Sequence, residues 1–241
     1  MQDIGMQFHI HCKEGDVGRY CFLPGDPGRC EAIAQHFDNP VHIGMNREYN
    51  VWTGTMLGEK VTVCSTGIGG PSASIAMEEL AAIGADTFIR IGTAATVKDP
   101  EDNQKYDGAI VTAAVRDEGT SRQYIPIEYP AVADRHVVDA LATAAENRNK
   151  NFLEGITHSK DSFFGEVDPD SCPLSDHLKM RWKAWQRGNV VCSEMECAAL
   201  FVICSIRGKR ASAIMNWKDM NETIQTACDA VRLLIKKDEM R

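Results

Sequence analysis

Short apolar runs alternate with segments of helical spacing along most of this 241-residue chain. Tyr20–Pro24, Thr87–Ile91 and Ala109–Val115 are almost continuously apolar, which is typical of buried strands. Ser72–Ile83 and Asp134–Asn147 place their apolar residues at helical intervals. This alternation favours a parallel sheet covered by helices on both faces. We therefore predict an α/β fold, a three-layer α/β/α sandwich around a mixed, mostly parallel sheet.

The remaining segments extend the same pattern. Tyr49–Met56 and Lys60–Ser65 are strand-like runs joined by Leu57-Gly58-Glu59, which is a β-hairpin signal. Asp134 is a candidate N-cap, and Asp99–Asp107 is a polar surface loop. Because no long linker divides the sequence, we expect one domain over residues 1–241. Further strands are predicted at Gly155–Phe163, Asn189–Cys192 and Arg210–Met215, and further helices at Cys30–Phe37, Leu174–Gln186, Glu194–Ile206 and Glu222–Lys236.

Composition and charge argue against several classes of function. The formal net charge of −8 argues against a nucleic-acid surface, which is usually basic. The chain has no apolar run of about 18 residues or more that would suggest a membrane span. Its start lacks a cationic stretch followed by an apolar one, so we expect no secretory signal and a cytoplasmic protein. The nine cysteines form no C-x-x-C pair, which indicates reduced, buried thiols without a metal or redox role.

Two glycine-containing motifs follow apolar strands, at the edge where parallel α/β sheets bind their ligands. In Gly25-Asp26-Pro27-Gly28-Arg29, glycine permits a close backbone approach and Arg29 offers a fork suited to phosphate. The alternative is a surface turn with a solvated arginine. Ser65–Ser72 resembles a dinucleotide fingerprint, but Ser72 stands where the third glycine is required. We expect this second motif to serve close packing or a small-molecule contact.

Two further motifs carry charged side chains in apolar surroundings. Arg90 lies within the predicted strand Phe88-Ile89-Arg90-Ile91, where burial is costly unless the guanidinium meets an anion. A structural ion pair would satisfy it, but Thr93 nearby makes an oxyanion site the favoured interpretation. Glu194 and Glu196 precede an apolar helix, where carboxylates stabilise the helix dipole or accept hydrogen bonds from a ribose diol. On this motif alone, the helix role is favoured.

Together these motifs, in this order, resemble the nucleoside phosphorylase family, and most of all its bacterial uridine phosphorylases. The similarity covers most of the chain and implies the nucleoside phosphorylase-like form of the predicted sandwich. The stretches that carry it are FLPGDPGRC, NREYNVWTGT, STGIGGPSASIAMEELAAIGADTFIRIGT, EGTSRQYIPIEYPAVAD, KDSFFGE and SEMECAALFV.

The resemblance implies a set of binding residues for each part of the reaction. Phosphate would be bound by Gly25, Arg29, Arg47, Arg90 and Thr93. Ribose would be bound by His9, Glu194, Met195 and Glu196. The base would contact Ala95, Phe163 and Glu166. A monovalent cation such as K⁺, which some members hold between subunits, would lie at Glu48, Ile68 and Ser72.

The resemblance also implies an activity and an assembly. The expected enzyme is a pentosyltransferase of nucleoside salvage that cleaves uridine, or deoxyuridine, with inorganic phosphate as co-substrate and without another cofactor. Phosphate would attack an oxocarbenium-like ribosyl group, with catalysis by positioning and electrostatics. We expect a homo-oligomer built from dimers, a hexamer, in which His9 and Arg47 complete the site of a neighbouring subunit.

Several positions depart from the uridine phosphorylase pattern. Glu166 replaces the usual base-binding glutamine, Val167-Asp168 stand where an arginine often follows, and Ala95 replaces a glycine. The stretch between Met215 and Glu222 is shorter than the flap of relatives, and the sequence leaves open whether the protein truly lacks that flap. A purine nucleoside phosphorylase and a non-catalytic nucleoside-binding homologue therefore remain alternatives. A hydrolytic nucleosidase is disfavoured, because hydrolysis does not need three phosphate-binding arginines.

Overall fold

The computed structural model describes residues 5–98 and 101–240. The strands in these residues belong to one sheet. In chain order they are β1 (Tyr20–Pro24), β2 (Asp38–Asn46), β3 (Tyr49–Met56), β4 (Glu59–Cys64), β5 (Thr87–Thr93), β6 (Ala95–Thr96), β7 (Gly108–Asp117), β8 (Ala131–Val132), β9 (Phe152–Lys160), β10 (Cys192–Glu194) and β11 (Arg210–Asn216).

The sheet is mixed, and its centre is parallel. The order across it is β2-β3-β4-β1-β5-β11-β7-β9-β10-β6, with β8 beside β7. Strands β4, β1, β5 and β11 run parallel to one another, as do β7, β9 and β10. The two parallel groups meet where β11 and β7 pair antiparallel, and the antiparallel strands β2 and β3 extend one side.

Helices cover both faces of this sheet. One group, α5 and α9, packs on β11 and its neighbours, while α2, α4 and α8 contact one another, with α8 on β7 and β11. This arrangement confirms the predicted three-layer α/β/α sandwich. No helix of the described residues has the length and apolar character needed to cross a bilayer. The helices are α1 (Arg29–Ala34), α2 (Gly70–Ala82), α3 (Asp102–Lys105), α4 (Thr120–Tyr124), α5 (Arg135–Asn147), α6 (Phe164–Val167), α7 (Ser175–Arg187), α8 (Cys197–Ile206) and α9 (Met220–Glu239), with a 3-10 turn at Pro169–Ser171.

The segments with the strongest local patterns adopt the predicted structure. Strand β1 has the predicted ends, and the predicted hairpin is β3–β4, with Leu57 and Gly58 at its turn. Both turn residues have positive φ, +52° and +85°, which suits a two-residue hairpin turn. Helix α8 is apolar on all sides, and eight of its ten residues are buried between the sheet and its neighbouring helices.

Three segments differ from the sequence prediction. Strand β2 was not predicted, because Pro40 and Gly44 interrupt its pattern. Both residues are tolerated because β2 lies at the edge, where its register against β3 shifts twice. Helix α1 ends at Ala34 rather than Phe37, since the chain must turn into β2. Part of the predicted loop Asp99–Asp107 is helix α3, whereas positions 99 and 100 lie outside the described residues.

Three further segments were misplaced by two or three residues. The strand predicted at Asn189–Cys192 is Cys192–Glu194, and the helix predicted from Glu194 begins at Cys197. The reason is that the Glu194 carboxylate accepts hydrogen bonds from the N–H groups of Glu196 (2.7 Å) and Cys197 (2.8 Å). A residue that caps a helix in this way must lie before its first turn. The extended segment Gly155–Phe163 likewise lies earlier, at β9.

The cysteines behave as the composition indicates. All nine are free thiols, and all but Cys172 are buried. Burial disfavours the charged thiolate and raises the pKa of Cys192 to about 12 and that of Cys228 to about 12. Buried thiols of this kind are inert core residues at neutral pH.

The predicted N-cap of α5, Asp134, can be tested by mutation. Its Oδ1 accepts hydrogen bonds from the N–H groups of His136 (2.9 Å) and Val137 (3.1 Å), as expected of the N-cap of α5. Replacing an N-cap aspartate by alanine costs about 1 kcal/mol. We expect Asp134→Ala to lower the melting temperature by about 2–4 °C, measured by scanning calorimetry. Asp139→Ala, an exposed change in the same helix, is the control, and equal shifts in both variants would contradict the cap assignment.

Candidate active site

A cavity of about 960 Å³ lies at the carboxyl ends of β1, β5 and β10, where the polar motifs converge. It includes every predicted site residue except His9 and Arg47. The predicted residues that line it are Gly25, Arg29, Glu48, Ile68, Ser72, Arg90, Thr93, Ala95, Phe163, Glu166, Glu194, Met195 and Glu196. Asp26, Pro27, Gly67, Ala94, Lys160, Val167 and Ser193 complete the lining.

The loop after β1 places backbone and cationic groups side by side. A Cβ atom at Gly25 would lie 3.2 Å from the carbonyl oxygen of Gly67 and 3.8 Å from Nη1 of Arg90. Any side chain at this position would therefore crowd the space in front of the guanidinium. Arg29 begins α1 and, among the described residues, forms a loose ion pair with Asp26, in which its Nε lies 4.0 Å from Oδ2. Its guanidinium remains available to an anion in the cavity.

Arg90 meets carboxylates inside the protein. Its Nη2 forms an ion pair with Oε2 of Glu196, and its Nε lies 3.6 Å from Oε2 of Glu194. Burial lowers the pKa of Arg90, but the neighbouring Glu196 and Glu194 outweigh this effect and raise it above its ordinary value. The structural ion pair that the sequence left open as an alternative is therefore present.

The ion pair does not use the whole Arg90 guanidinium. Nε and Nη1 of this buried side chain have no hydrogen-bond acceptor among the described residues. Buried donors without acceptors cost free energy, so they favour binding of an anion. Nη1 lies 3.8 Å and Nη2 4.0 Å from a Cβ atom built at Gly25, and of these two nitrogens Nη1 is the one without an acceptor. The geometry thus allows Arg90 to hold a carboxylate and an external anion together.

Glu194 organises the start of helix α8. In addition to the two backbone N–H groups that it caps, its Oε1 accepts a hydrogen bond from the hydroxyl of Ser159. The same hydroxyl oxygen accepts a hydrogen bond from the N–H of Ala198 at 2.9 Å. The carboxylate stabilises the positive end of the helix dipole, as the motif alone favoured. Its predicted contact with ribose stays a prediction.

Glu196 joins three segments of the chain at the floor of the cavity. Its Oε1 accepts a hydrogen bond from the N–H of Gly69 at 2.6 Å, and its Oε2 accepts one from Met195 at 3.2 Å. Burial raises the pKa of Glu196, while Arg90 opposes this rise by favouring the carboxylate. The φ angles of Gly67 (+66°) and Gly69 (+92°) explain why this loop requires glycine.

The opposite end of the cavity holds a second buried ion pair. Nζ of Lys160, at the end of β9, lies 2.9 Å from Oε2 of Glu166 in α6. Ser193 joins both, because its hydroxyl donates to Glu166 at 2.5 Å and accepts from Lys160 at 2.8 Å. Glu166 was predicted from the sequence as a site residue, but Lys160 was not. The missed signal was a lysine at the end of a strand next to a predicted binding segment.

The other predicted base-contacting residues lie near this second pair. Ala95 is in β6, opposite Ser193 of β10. Phe163 is 54% exposed and presents an apolar ring to the cavity. Thr93 ends β5 and lines the cavity as an exposed residue. The contacts of these residues with ligands stay predictions.

His9 and Arg47 lie outside the cavity of their own chain. His9 contacts Glu79, with its Nδ1 2.6 Å from Oε1. Arg47 is exposed at the turn between β2 and β3, where its φ is +54°. Neither residue lines the cavity of its own chain, and their contribution to the site of a neighbouring subunit stays a prediction.

The three predicted cation-binding residues lie together at the rim. Ser72 donates hydrogen bonds to the carbonyl oxygens of Ile68 (3.1 Å) and Gly69 (3.3 Å), and Glu48 packs against Gly67. Carboxylate, carbonyl and hydroxyl oxygens are suitable ligands for a hard cation. Whether they bind one stays a prediction.

The connection from β11 to α9 is short in the folded chain. Strand β11 ends at Asn216, and Asp219 already caps α9 by accepting hydrogen bonds from the N–H groups of Asn221 (2.9 Å) and Glu222 (3.3 Å). The three residues between the strand and the helix leave no room for a flap.

Comparisons with known proteins agree with this architecture. The sequence profile of the Phosphorylase superfamily matches residues 19–232. A uridine phosphorylase of Treponema pallidum is 42% identical over 98% of this chain and 96% of its own length. A uridine phosphorylase of Thermococcus kodakarensis is also 42% identical, over 98% of this chain and 89% of its own. A guanosine phosphorylase of Halorubrum lacusprofundi is 38% identical over 86% of this chain and 81% of its own. The chain belongs to the phosphorylase superfamily.

Proposed function

We propose that this protein is a uridine phosphorylase, a pentosyltransferase that converts uridine and phosphate into uracil and ribose 1-phosphate and accepts deoxyuridine similarly. The observation that carries the proposal is the cavity with arginine donors at one end and the Lys160–Glu166 pair at the other. Relatives named uridine phosphorylase that align over nearly the whole chain support it.

The charged groups match the charges that develop in the reaction. As the glycosidic bond lengthens, the ribosyl group becomes cationic and the base becomes anionic. Phosphate held by Arg29 and Arg90 would stabilise the cationic sugar and attack its C1′ atom. The rate acceleration would come from positioning and preorganised electrostatics, without a covalent enzyme intermediate.

The Arg90–Glu196 ion pair would couple phosphate binding to ribose binding. Nη2 orients the Glu196 carboxylate and Nε lies 3.6 Å from Oε2 of Glu194, while Nη1 remains for the phosphate. Glu196 would accept hydrogen bonds from the ribose hydroxyls and keep C1′ in line with the attacking oxygen. One buried guanidinium would thus set the distance between the two substrates.

The second candidate is a purine nucleoside phosphorylase. The observation that favours it is Glu166, since an ionised carboxylate accepts hydrogen bonds from N–H donors such as those on guanine. The guanosine phosphorylase among the relatives is consistent with it. The two candidate enzymes release different bases, but both use phosphate, bind ribose and have the same fold.

We also propose an assembly, a bound cation and a cellular compartment for the enzyme. His9 and Arg47 would complete the cavity of a second copy, so the active unit would be a dimer, and three dimers would form a hexamer. K⁺ at Glu48, Ile68 and Ser72 would lie beside this contact between subunits. The enzyme would act in the cytoplasm, in the salvage and breakdown of pyrimidine nucleosides.

The decisive experiment measures free base released from uridine, deoxyuridine, thymidine, cytidine, inosine and guanosine, each with and without phosphate. We expect phosphate-dependent release of uracil from uridine and deoxyuridine. Preference for inosine or guanosine would support the purine alternative instead. Release that does not depend on phosphate, or no release by the folded oligomer, would exclude a phosphorylase.

Arg29→Ala tests the phosphate site. Loss of a hydrogen bond to a charged group costs about 1.5–3 kcal/mol, so the KM for phosphate should rise about 10- to 100-fold. The KM for uridine should change little, because Arg29 lies at the other end of the cavity from Glu166. The control is Arg187→Ala, an exposed arginine at the end of α7. An unchanged KM for phosphate in Arg29→Ala would remove this residue from the site.

Subunit mixing tests the shared site. One chain carries Arg29→Ala and Glu196→Gln, the other carries His9→Ala and Arg47→Ala, and each alone should be nearly inactive. Random pairing makes half of the dimers mixed, and one of the two sites in each mixed dimer is intact. Co-expression should therefore restore about a quarter of the wild-type activity per site. Activity no greater than the sum of the two parents would show that these residues act within one subunit.

A further inference from the structure

Lys160 has no role in the binding sets implied by the sequence, yet it lines the cavity beside Glu166. We propose that Lys160, held by Glu166 and Ser193, binds a carbonyl oxygen of the base and stabilises the negative charge on the base as it leaves. This inference rests on the proposed phosphorolysis and adds to it the group that assists departure of the base.

The sheet directs Lys160 toward the cavity. Strands β9 and β10 are parallel, with His158 opposite Ser193 and Ser159 opposite Glu194. Because side chains alternate along a strand, Ser159 points to the opposite face, where it contacts Glu194. Lys160 shares the face of His158 and Ser193 and ends the strand, so its ammonium group reaches the base end of the cavity.

The contacts of Lys160 leave donor capacity for a ligand. Its Nζ lies 2.9 Å from Oε2 of Glu166 and 2.8 Å from Oγ of Ser193. An ammonium group has three donors, and these two contacts with described residues account for two of them. The Lys160 and Glu166 side chains are each only 9% exposed. Low exposure strengthens a charge–charge interaction with any group that enters beside them.

The Lys160–Glu166 pair is complementary to the hydrogen-bonding groups of one kind of base. Glu166 offers an acceptor and Lys160 a donor, which match an N–H group beside a carbonyl group, as in uracil. Glu166 alone would attract N3–H of uracil but repel the neighbouring carbonyl oxygen. Lys160 removes this repulsion and supplies the positive charge that an arginine after Glu166 would have supplied. Val167 and Asp168 occupy that stretch of the chain.

The reaction places negative charge on the base, and Lys160 can stabilise this charge. When C1′–N1 breaks, its electron pair goes to the base and spreads onto the carbonyl oxygens, while a phosphate oxygen forms the new bond to C1′. The proton that the neutral base finally carries balances the one that monohydrogen phosphate gives up on forming the ester. Lys160 need not transfer a proton, because an ammonium hydrogen bond to the charged oxygen is stronger in the transition state than in bound uridine.

The test compares uridine with 5-fluorouridine, whose base is the more stable anion, in wild type, Lys160→Met and Lys160→Arg. Loss of one donor to a developing oxyanion costs about 10²- to 10³-fold in kcat. We expect a loss of this size for uridine in Lys160→Met and a loss about tenfold smaller for 5-fluorouridine, since a better leaving group depends less on assistance. The KM for phosphate should not change, and Lys160→Arg should restore part of kcat. Lys179→Met, an exposed lysine paired with Asp170, is the control and should match wild type.

A purely structural role predicts a different result. If Lys160 only holds Glu166, Lys160→Met would slow both substrates by the same factor, and this equality would overturn the inference. Should Lys160→Met fail to assemble, Lys160→Gln keeps a neutral donor and must still raise the ratio of the two rates, 5-fluorouridine over uridine. An unchanged ratio in that variant would also overturn it.

The controls separate this inference from the proposed function. A wild-type protein that releases no uracil with phosphate overturns the proposed function and, with it, the role of Lys160. A wild-type protein that releases uracil, combined with variants that keep the wild-type rate ratio, overturns only the role of Lys160.

Discussion

The architecture of the site depends on the buried ion pair between Arg90 and Glu196. It connects the middle of β5 to the start of α8, and Glu196 extends the connection to Gly69 before α2. Removing one partner of a buried ion pair typically costs about 3–5 kcal/mol, because the other charge is left without compensation. The pair therefore holds together three segments that are distant in sequence, and the shape of the cavity follows from it.

The fold could be predicted where local pattern and tertiary environment agree. Strand β1 is continuously apolar and lies in the parallel centre of the sheet, so its ends were predicted correctly. Strand β2 was missed because its pairing with β3, rather than its own pattern, makes it a strand. The start of α8 was misplaced because the Glu194 carboxylate accepts hydrogen bonds from the N–H groups of Glu196 and Cys197. That carboxylate is in turn held by Ser159, which lies 35 residues before Glu194 in the chain. Contacts of that range leave no periodic signal in a sequence.

The sequence identified most residues of the site but not the contacts between them. Arg90 stood out as a charge in an apolar strand, but the sequence did not show that one guanidinium can pair with Glu194 and Glu196 and still leave Nη1 without an acceptor among the described residues. Glu166 stood out as a replacement for the usual glutamine, which left the purine alternative open. Its ion pair with Lys160 depends on the end of β9 and the turn of α6, which only the folded chain brings together.

The two ion pairs differ in how their charges face the cavity, and this difference suits a reaction that separates charge. At the phosphate end, Arg29 and Nη1 of Arg90 offer donors to an anion, although Glu194 and Glu196 lie beside Arg90 and the whole chain has a net charge of −8. At the base end, Lys160 and Glu166 together are neutral, so a neutral base can bind without an uncompensated charge beside it. Negative charge then develops on the base, and the preorganised Lys160 ammonium meets it without reorganisation of solvent. A neutral ion pair can thus bind the ground state weakly and the departing anion strongly, which is the condition for accelerating the chemical step.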